Sequence, residues 1–160
     1  MRKQNNLIVI VILSIISVVF TFFAPLAKET TEGLFNTYTD TVSLFSGVES
    51  GLCVAFTVIT GICFVLFTCI GLFEGADGKG IVGARIAGIA LLAMQIICLV
   101  QSMNYYDNTS LFGALHSEMT VISVHPLAIV TMIVTLSAVV LCFNAKPAKI
   151  GEGDYPNVDE

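Results

Sequence analysis

The stretch FEGADGKGIVGAR, Phe73 to Arg85, has the residue types of a phosphate-binding loop: closely spaced glycines, a lysine, and an apolar run behind them. A Walker-type loop requires G-x-x-x-x-G-K followed by Ser or Thr, because backbone amides cradle the phosphates and the hydroxyl holds magnesium. Here Gly80 follows Lys79, and Phe73 stands where the first glycine belongs, so the motif fails at both ends. Gly78, Gly80 and Gly83 match the spacing G-x-G-x-x-G literally. That fingerprint has physical meaning only between a strand and a helix of a soluble βαβ unit, whereas an apolar run long enough to be a membrane helix precedes it here. Nucleotide binding is not expected.

The other reactive side chains are scattered. Asp107, His116, Glu118 and His125 are candidates for a metal site, but the two histidines have no tight ligand pair, and Pro126 makes His125 the residue before a helix start. Cys53, Cys63, Cys69, Cys98 and Cys142 show no C-x-x-C spacing and lie inside apolar runs, where cysteine serves as a small packing residue. With no legible nucleophile and base pair, the sequence predicts no catalytic residue, no metal and no cofactor. The chain is not expected to be an enzyme.

The elements that carry these residues follow from composition. Of 160 residues, 56% are hydrophobic and 12% charged, and the mean hydropathy is +0.90. A soluble domain carries about 25% charged residues. Crossing a bilayer takes roughly 20 helical residues, and four apolar runs qualify: about 7–24, 52–73, 81–103 and 124–143. Continuous runs such as LIVIVILSIISVVF exclude a β-barrel, whose strands alternate. The prediction is an all-α integral membrane protein: one domain over 1–160, four transmembrane helices in an antiparallel bundle, outer loops at 25–51 and 104–123, and a tail at 144–160. Arg2 and Lys3 before the first run resemble a signal peptide's basic end. The run exceeds a signal core, and Phe22 and Pro25 occupy the places where small residues would precede a cut. The first run is therefore expected to remain as an anchor.

Orientation comes from the basic residues. Arg2, Lys3, Lys79, Arg85, Lys146 and Lys149 fall on one side of the four-span layout and Lys28 on the other, which puts both termini in the cytoplasm; the plasma membrane is the expected location. The opening stretch then becomes an inner hairpin. Gly75, Gly78 and Gly80 are candidates for positive φ, Asp77-Gly78 is a turn pair, and Asp77 suits the positive end of the next helix. Lys79 and Arg85 are interface anchors, with Arg85 expected to snorkel to headgroups or to pair with Glu74 or Asp77.

Each span carries a stripe of small or polar residues at steps of three and four: Ser14, Ser17, Thr21 and Ala24; Cys53, Thr57, Gly61, Thr68 and Gly71; Ala84, Gly88, Gln95 and Ser102; Ala128, Thr131, Thr135, Ala138 and Cys142. Such stripes let helices approach closely and hydrogen-bond in lipid. Thr57, Gly61, Ala84, Gly88, Gln95, Thr131 and Thr135 are the candidates for helix packing or for lining a path, and Gln95 is expected to take hydroxyl partners from neighbouring helices.

The outer loops hold the remaining candidates. In the segment Gly33 to Gly47, Phe35, Tyr38, Val42 and Phe45 follow helical spacing, while Tyr38, Asp40, Val42 and Leu44 alternate as in a strand. The preferred reading is a short amphipathic surface helix, with Phe35, Tyr38 and Phe45 as partner contacts. Asn108-Thr109-Ser110 matches the glycan acceptor pattern. Four spans, inner termini and a larger first outer loop resemble the layout of claudins and related tetraspan proteins in topology alone. Claudins carry tryptophans and a cysteine pair in that loop; this chain has no Trp and keeps only the fragment Gly51-Leu52-Cys53.

The function expected is that of a non-enzymatic scaffold or accessory subunit of a membrane complex. The alternative is a small channel or facilitator for an ion or uncharged solute with a Thr/Ser/Gln-lined path. The partners expected are the lipid bilayer and further copies of the chain or other membrane subunits, not nucleic acid.

Overall fold

The computed structural model describes residues 2–32, 37–48, 50–75, 78–113 and 119–145. In chain order the elements are α1 (Arg2–Phe23), β1 (Ala27–Glu32), β2 (Thr37–Val42), α2 (Leu44–Gly47), α3 (Gly51–Glu74), α4 (Lys79–Gly113), β3 (Met119–Val124) and α5 (Pro126–Asn144). Four of the helices are long and apolar enough to cross a membrane, over Asn6–Phe23, Gly51–Glu74, Lys79–Met103 and Pro126–Asn144. A backbone in hydrocarbon must satisfy its own N–H and C=O groups, and a helix does so within one segment. Large apolar side chains such as Ile12, Phe56, Ile86 and Ile133 accordingly point outward from the bundle, where lipid replaces water as their surroundings.

The bundle closes as a ring in which α1 lies between α3 and α5, and α4 lies between α5 and α3. That leaves α1 facing α4 across one diagonal and α3 facing α5 across the other. α3 ends at Gly75, whose φ of 85° few other residues adopt without strain, and whose N–H closes the last turn onto Gly71 O at 2.9 Å. α4 begins at Lys79, so the hairpin is tighter than the spacing of the glycines predicts. Gly80 is not a turn residue: it lies in α4, where a Cβ would stand 2.9 Å from the Gly71 Cα, so the two backbones touch. The Glu74 carboxylate accepts from Gly80 N–H at 2.9 Å, placing negative charge at the positive end of α4. Asp77, expected in that role, lies outside the described residues.

At the other end the segments between helices are not loops of helical character. β1 pairs antiparallel with β2 on one side and with β3 on the other, giving a three-stranded sheet of order β2-β1-β3. The preference for a surface helix in the first outer segment is therefore corrected: Thr37–Val42 is a strand, and the helix is confined to Leu44–Gly47. A strand wins because β1 supplies a hydrogen-bonding partner that spacing within one segment does not reveal. The second outer segment differs as well, since α4 continues to Gly113 and β3 runs directly up to α5. α5 starts two residues later than its apolar run, because His125 caps it through Nδ1, which accepts from Leu127 N–H at 3.2 Å, and Pro126 occupies the first helical position.

The sheet is continuous with the bundle. Leu26 N–H donates to Val42 O at 2.6 Å and Leu26 O accepts from His125 N–H at 3.0 Å, which ties the ends of α1, β2 and α5 together. Beneath this junction Leu26, Leu44, Cys98 and Ala128 form an apolar plug. A larger apolar cluster that includes Ile10, Phe64, Ile81, Leu91 and Val139 fills the half of the bundle away from the sheet.

Glu29 on β1 stands directly opposite Asp40 on β2. Partial burial raises the Glu29 carboxyl above its ordinary value, and the Asp40 charge raises it further. A raised carboxyl favours the protonated folded state, so its stabilising effect is complete below the ordinary carboxylate pKa and is lost as pH rises through the raised value. Thermal unfolding measured from pH 7 downward is expected to show stability gained in the mildly acidic range, and Glu29→Gln is expected to flatten that gain.

Candidate functional site

Between the apolar half and the plug lies a layer of polar side chains drawn from all four spanning helices. Ser14, Ser17 and Thr21 of α1, Thr57 and Thr68 of α3, Gln95 of α4, and Thr131 and Thr135 of α5 are all buried. Every one belongs to a stripe read from the sequence. Gly61, Ala84 and Gly88 are buried with them. Cys53 is the half-buried member of its stripe.

Gln95 organises the layer. It is 3% exposed, and its Nε2 donates across the diagonal to Thr21 Oγ1 at 2.7 Å and to the neighbouring Thr135 Oγ1 at 2.9 Å. Thr135 Oγ1 uses its single hydrogen on Thr131 O at 2.9 Å. The contact between Ser17 Oγ and Thr135 Oγ1, 2.5 Å, therefore has Ser17 as donor. Thr21 likewise donates to Ser17 O at 2.7 Å. One amide and three hydroxyls thus join α1, α4 and α5. A second contact, Ser14 Oγ to Thr68 Oγ1 at 2.9 Å, joins α1 to α3 one turn farther from the sheet. Thr57 donates to Cys53 O at 2.7 Å and lies 3.3 Å from Cys98 Sγ, joining α3 to α4 on the sheet side.

One polar atom is left over. Gln95 Oε1 is buried with no hydrogen-bond partner among the described residues, and so is Gln101 Oε1, six residues nearer the sheet. Gln95 also forms part of the wall of a small cavity under the plug, together with Thr21, Thr57, Thr131, Leu26 and Leu44. The cavity measures about 10 Å³, on the order of what a single water molecule needs. It is a pocket of one-water size, not a passage.

The glycines differ in how tightly they are held. A Cβ on Gly88 would lie 2.6 Å from Val139 Cγ2 and 2.9 Å from Phe64 Cε2, whereas one on Gly61 would meet Phe22 Cζ and Val18 Cγ2 at 3.4 Å. Gly88 is the point where α4 is pressed against both neighbours.

The remaining candidates lie at the two ends. Phe45 is 60% exposed on α2 with its ring 6.3 Å from that of Phe22, and Tyr38 is 67% exposed on β2. Phe35 lies outside the described residues. Lys79 is exposed at the start of α4. Arg85 neither pairs with Glu74 nor stretches free: its Nε donates to Cys142 O at 3.0 Å, and its guanidinium carbon sits 5.2 Å from the centre of the Phe143 ring. Cys142 is among the last residues of α5, whose carbonyls have no partner within the helix, so the side chain caps a neighbouring helix. Spacing alone did not signal this contact, because it joins two helices at their far ends. Among the described residues no three of His, Cys, Asp and Glu come together at a possible metal site; His116 and Glu118 lie outside them.

No protein-family model and no curated protein matches the chain.

Thr135→Val is expected to destabilise the bundle by about 1–3 kcal/mol, since it strands the Ser17 hydroxyl and one Gln95 N–H while keeping the side-chain shape. Gln95→Leu is expected to cost less, on the order of 1 kcal/mol, because the hydroxyls it leaves still donate to their own helices and the unpartnered Oε1 disappears. Equilibrium unfolding in mixed micelles would rank the two, and the reverse order would refute the bonding scheme. By the same measurement Gly88→Ala is expected to lose about 1–3 kcal/mol and Gly61→Ala to lose less.

Proposed function

We propose that the protein is a non-enzymatic, multi-pass component of the cell membrane that acts as an oligomeric scaffold or an accessory subunit of a membrane complex. In this reading both termini are cytoplasmic and the sheet faces outward. The orientation is supported by charge: Lys79 and Arg85 lie at the end of the bundle opposite the sheet, where the positive-inside tendency puts basic residues.

The observation that carries the scaffold reading is how the polar stripes are used. Their hydroxyls and the Gln95 amide bond one another or their own helices, and the core holds a one-water cavity, so the bundle interior serves its own cohesion. Surfaces are left to meet partners. Residues 37–41 of β2 are exposed in succession, and β2 stands at the edge of the sheet, a position from which strands pair with other chains. Phe45 adds an exposed aromatic ring beside it.

A conducting path is the second reading, favoured by one feature: the unpartnered Gln95 Oε1 in a helix that borders the cavity. Leu26 and Leu44 close that cavity toward the sheet, so conduction through one protomer requires the plug to move.

Mass and stoichiometry of the detergent-extracted complex separate the two. The scaffold reading predicts an assembly larger than one protomer that Tyr38→Lys with Phe45→Lys reduces several-fold, with bundle unfolding unchanged. A single protomer that carries solute flux in vesicles, with the flux altered by Gln95→Leu, would overturn it.

A further inference from the structure

Arg85 is the one charged side chain among the described residues that stands well inside a spanning helix. It lies six residues past Lys79, about 9 Å along the axis at 1.5 Å per residue. A guanidinium at that depth is costly unless its hydrogen-bonding capacity is met. The protein meets part of it. Nε is taken by Cys142 O at 3.0 Å, and one face of the group is covered by the Phe143 ring at 5.2 Å. Of the two acids expected to pair with it, Glu74 is engaged with Gly80 N–H instead, and Asp77 lies outside the described residues. Among the described residues no carboxylate pairs with Arg85, and the side chain is half-buried, not enclosed.

We propose that Arg85 is a binding site for the phosphate of an anionic phospholipid in the leaflet at the end opposite the sheet. Three features of the geometry select that ligand. The Nε bond and the ring fix the plane of the guanidinium, which leaves the two terminal NH₂ groups as a rigid fork of N–H donors, and such a fork matches two oxygens of one phosphate. About 9 Å from the start of α4, the group is at a depth to which a lipid phosphodiester can be drawn by local thinning of the leaflet. Exposed Lys79 at the start of the same helix adds a second positive charge at that end, which favours a headgroup of net negative charge over a zwitterionic one. Basic sites between helices at the membrane border are where acidic lipids dock. The site is separate from the polar layer and does not depend on the scaffold reading.

The full-length protein, purified in a neutral detergent without phosphate, is titrated with phosphatidylglycerol, phosphatidylcholine and inorganic phosphate, and bound ligand is read by native mass spectrometry. The wild type is expected to retain phosphatidylglycerol about tenfold over phosphatidylcholine, because both offer the phosphodiester but only phosphatidylglycerol carries a net negative charge. Inorganic phosphate at millimolar concentration should not displace it. Arg85→Gln should bring the preference to about one, and Arg85→Lys, which keeps the charge and loses the fork, should weaken retention of phosphatidylglycerol several-fold while keeping a preference for it. Equal retention of the two lipids by the wild type would overturn the proposal even if the Gln variant does not fold. A folded Arg85→Gln protein with an unchanged preference would show that Arg85 only caps α5. Displacement by inorganic phosphate would overturn the lipid as ligand.

Discussion

In hydrocarbon, apolar side chains gain nothing by leaving lipid for one another, so helices must be held by close backbone approach and by hydrogen bonds between them. The polar contact that spans this bundle is the Gln95 amide reaching Thr21 across the diagonal and Thr135 beside it. The ring of helices brings α1 against α3 and α5 but leaves α4 opposite. A side chain of glutamine length closes that diagonal. Thr135 then accepts from Ser17 as well, so three helices share one knot of polar atoms.

Around the knot, the two ends of the bundle are secured by different means. Away from the sheet, the Gly71 and Gly80 backbones touch, Glu74 caps α4, and Arg85 caps α5. On the sheet side, the backbone ladder running through Leu26 and His125 joins the strands to the helix ends, and Leu44 is driven down into the plug. The sheet thus does for one end what glycine contact and side-chain caps do for the other. It also leaves β2 and β3 as the two edge strands.

Much of this was legible beforehand because the bilayer restricts the choices. Apolar length marks the spans, and period 3.6 marks the inward stripes: Thr57, Gly88, Gln95 and Thr135 are buried as their spacing implies. Residue type required that Gln95 find hydroxyl partners. What stayed hidden shares one cause. The outer segment around Tyr38 satisfies helical and strand spacing equally well, and the partner that decides between them, β1, lies outside the stretch whose spacing is read. Arg85 has nearby acids in the sequence, yet its partner is a carbonyl at the end of another helix.

The sequence by itself determined a membrane-spanning helical bundle, the face each helix turns inward and the tight turn after Glu74. These follow from local periodicity and from the cost of bare backbone in lipid, which leave few alternatives. Tertiary structure alone decided that β1 pairs with both β2 and β3, that Gln95 crosses the diagonal to Thr21, that Gly80 serves contact and not turning, and that Arg85 caps α5. Each of these joins different elements of the chain, and the choice among equally permissible partners is made by which helix ends and strand edges packing brings together.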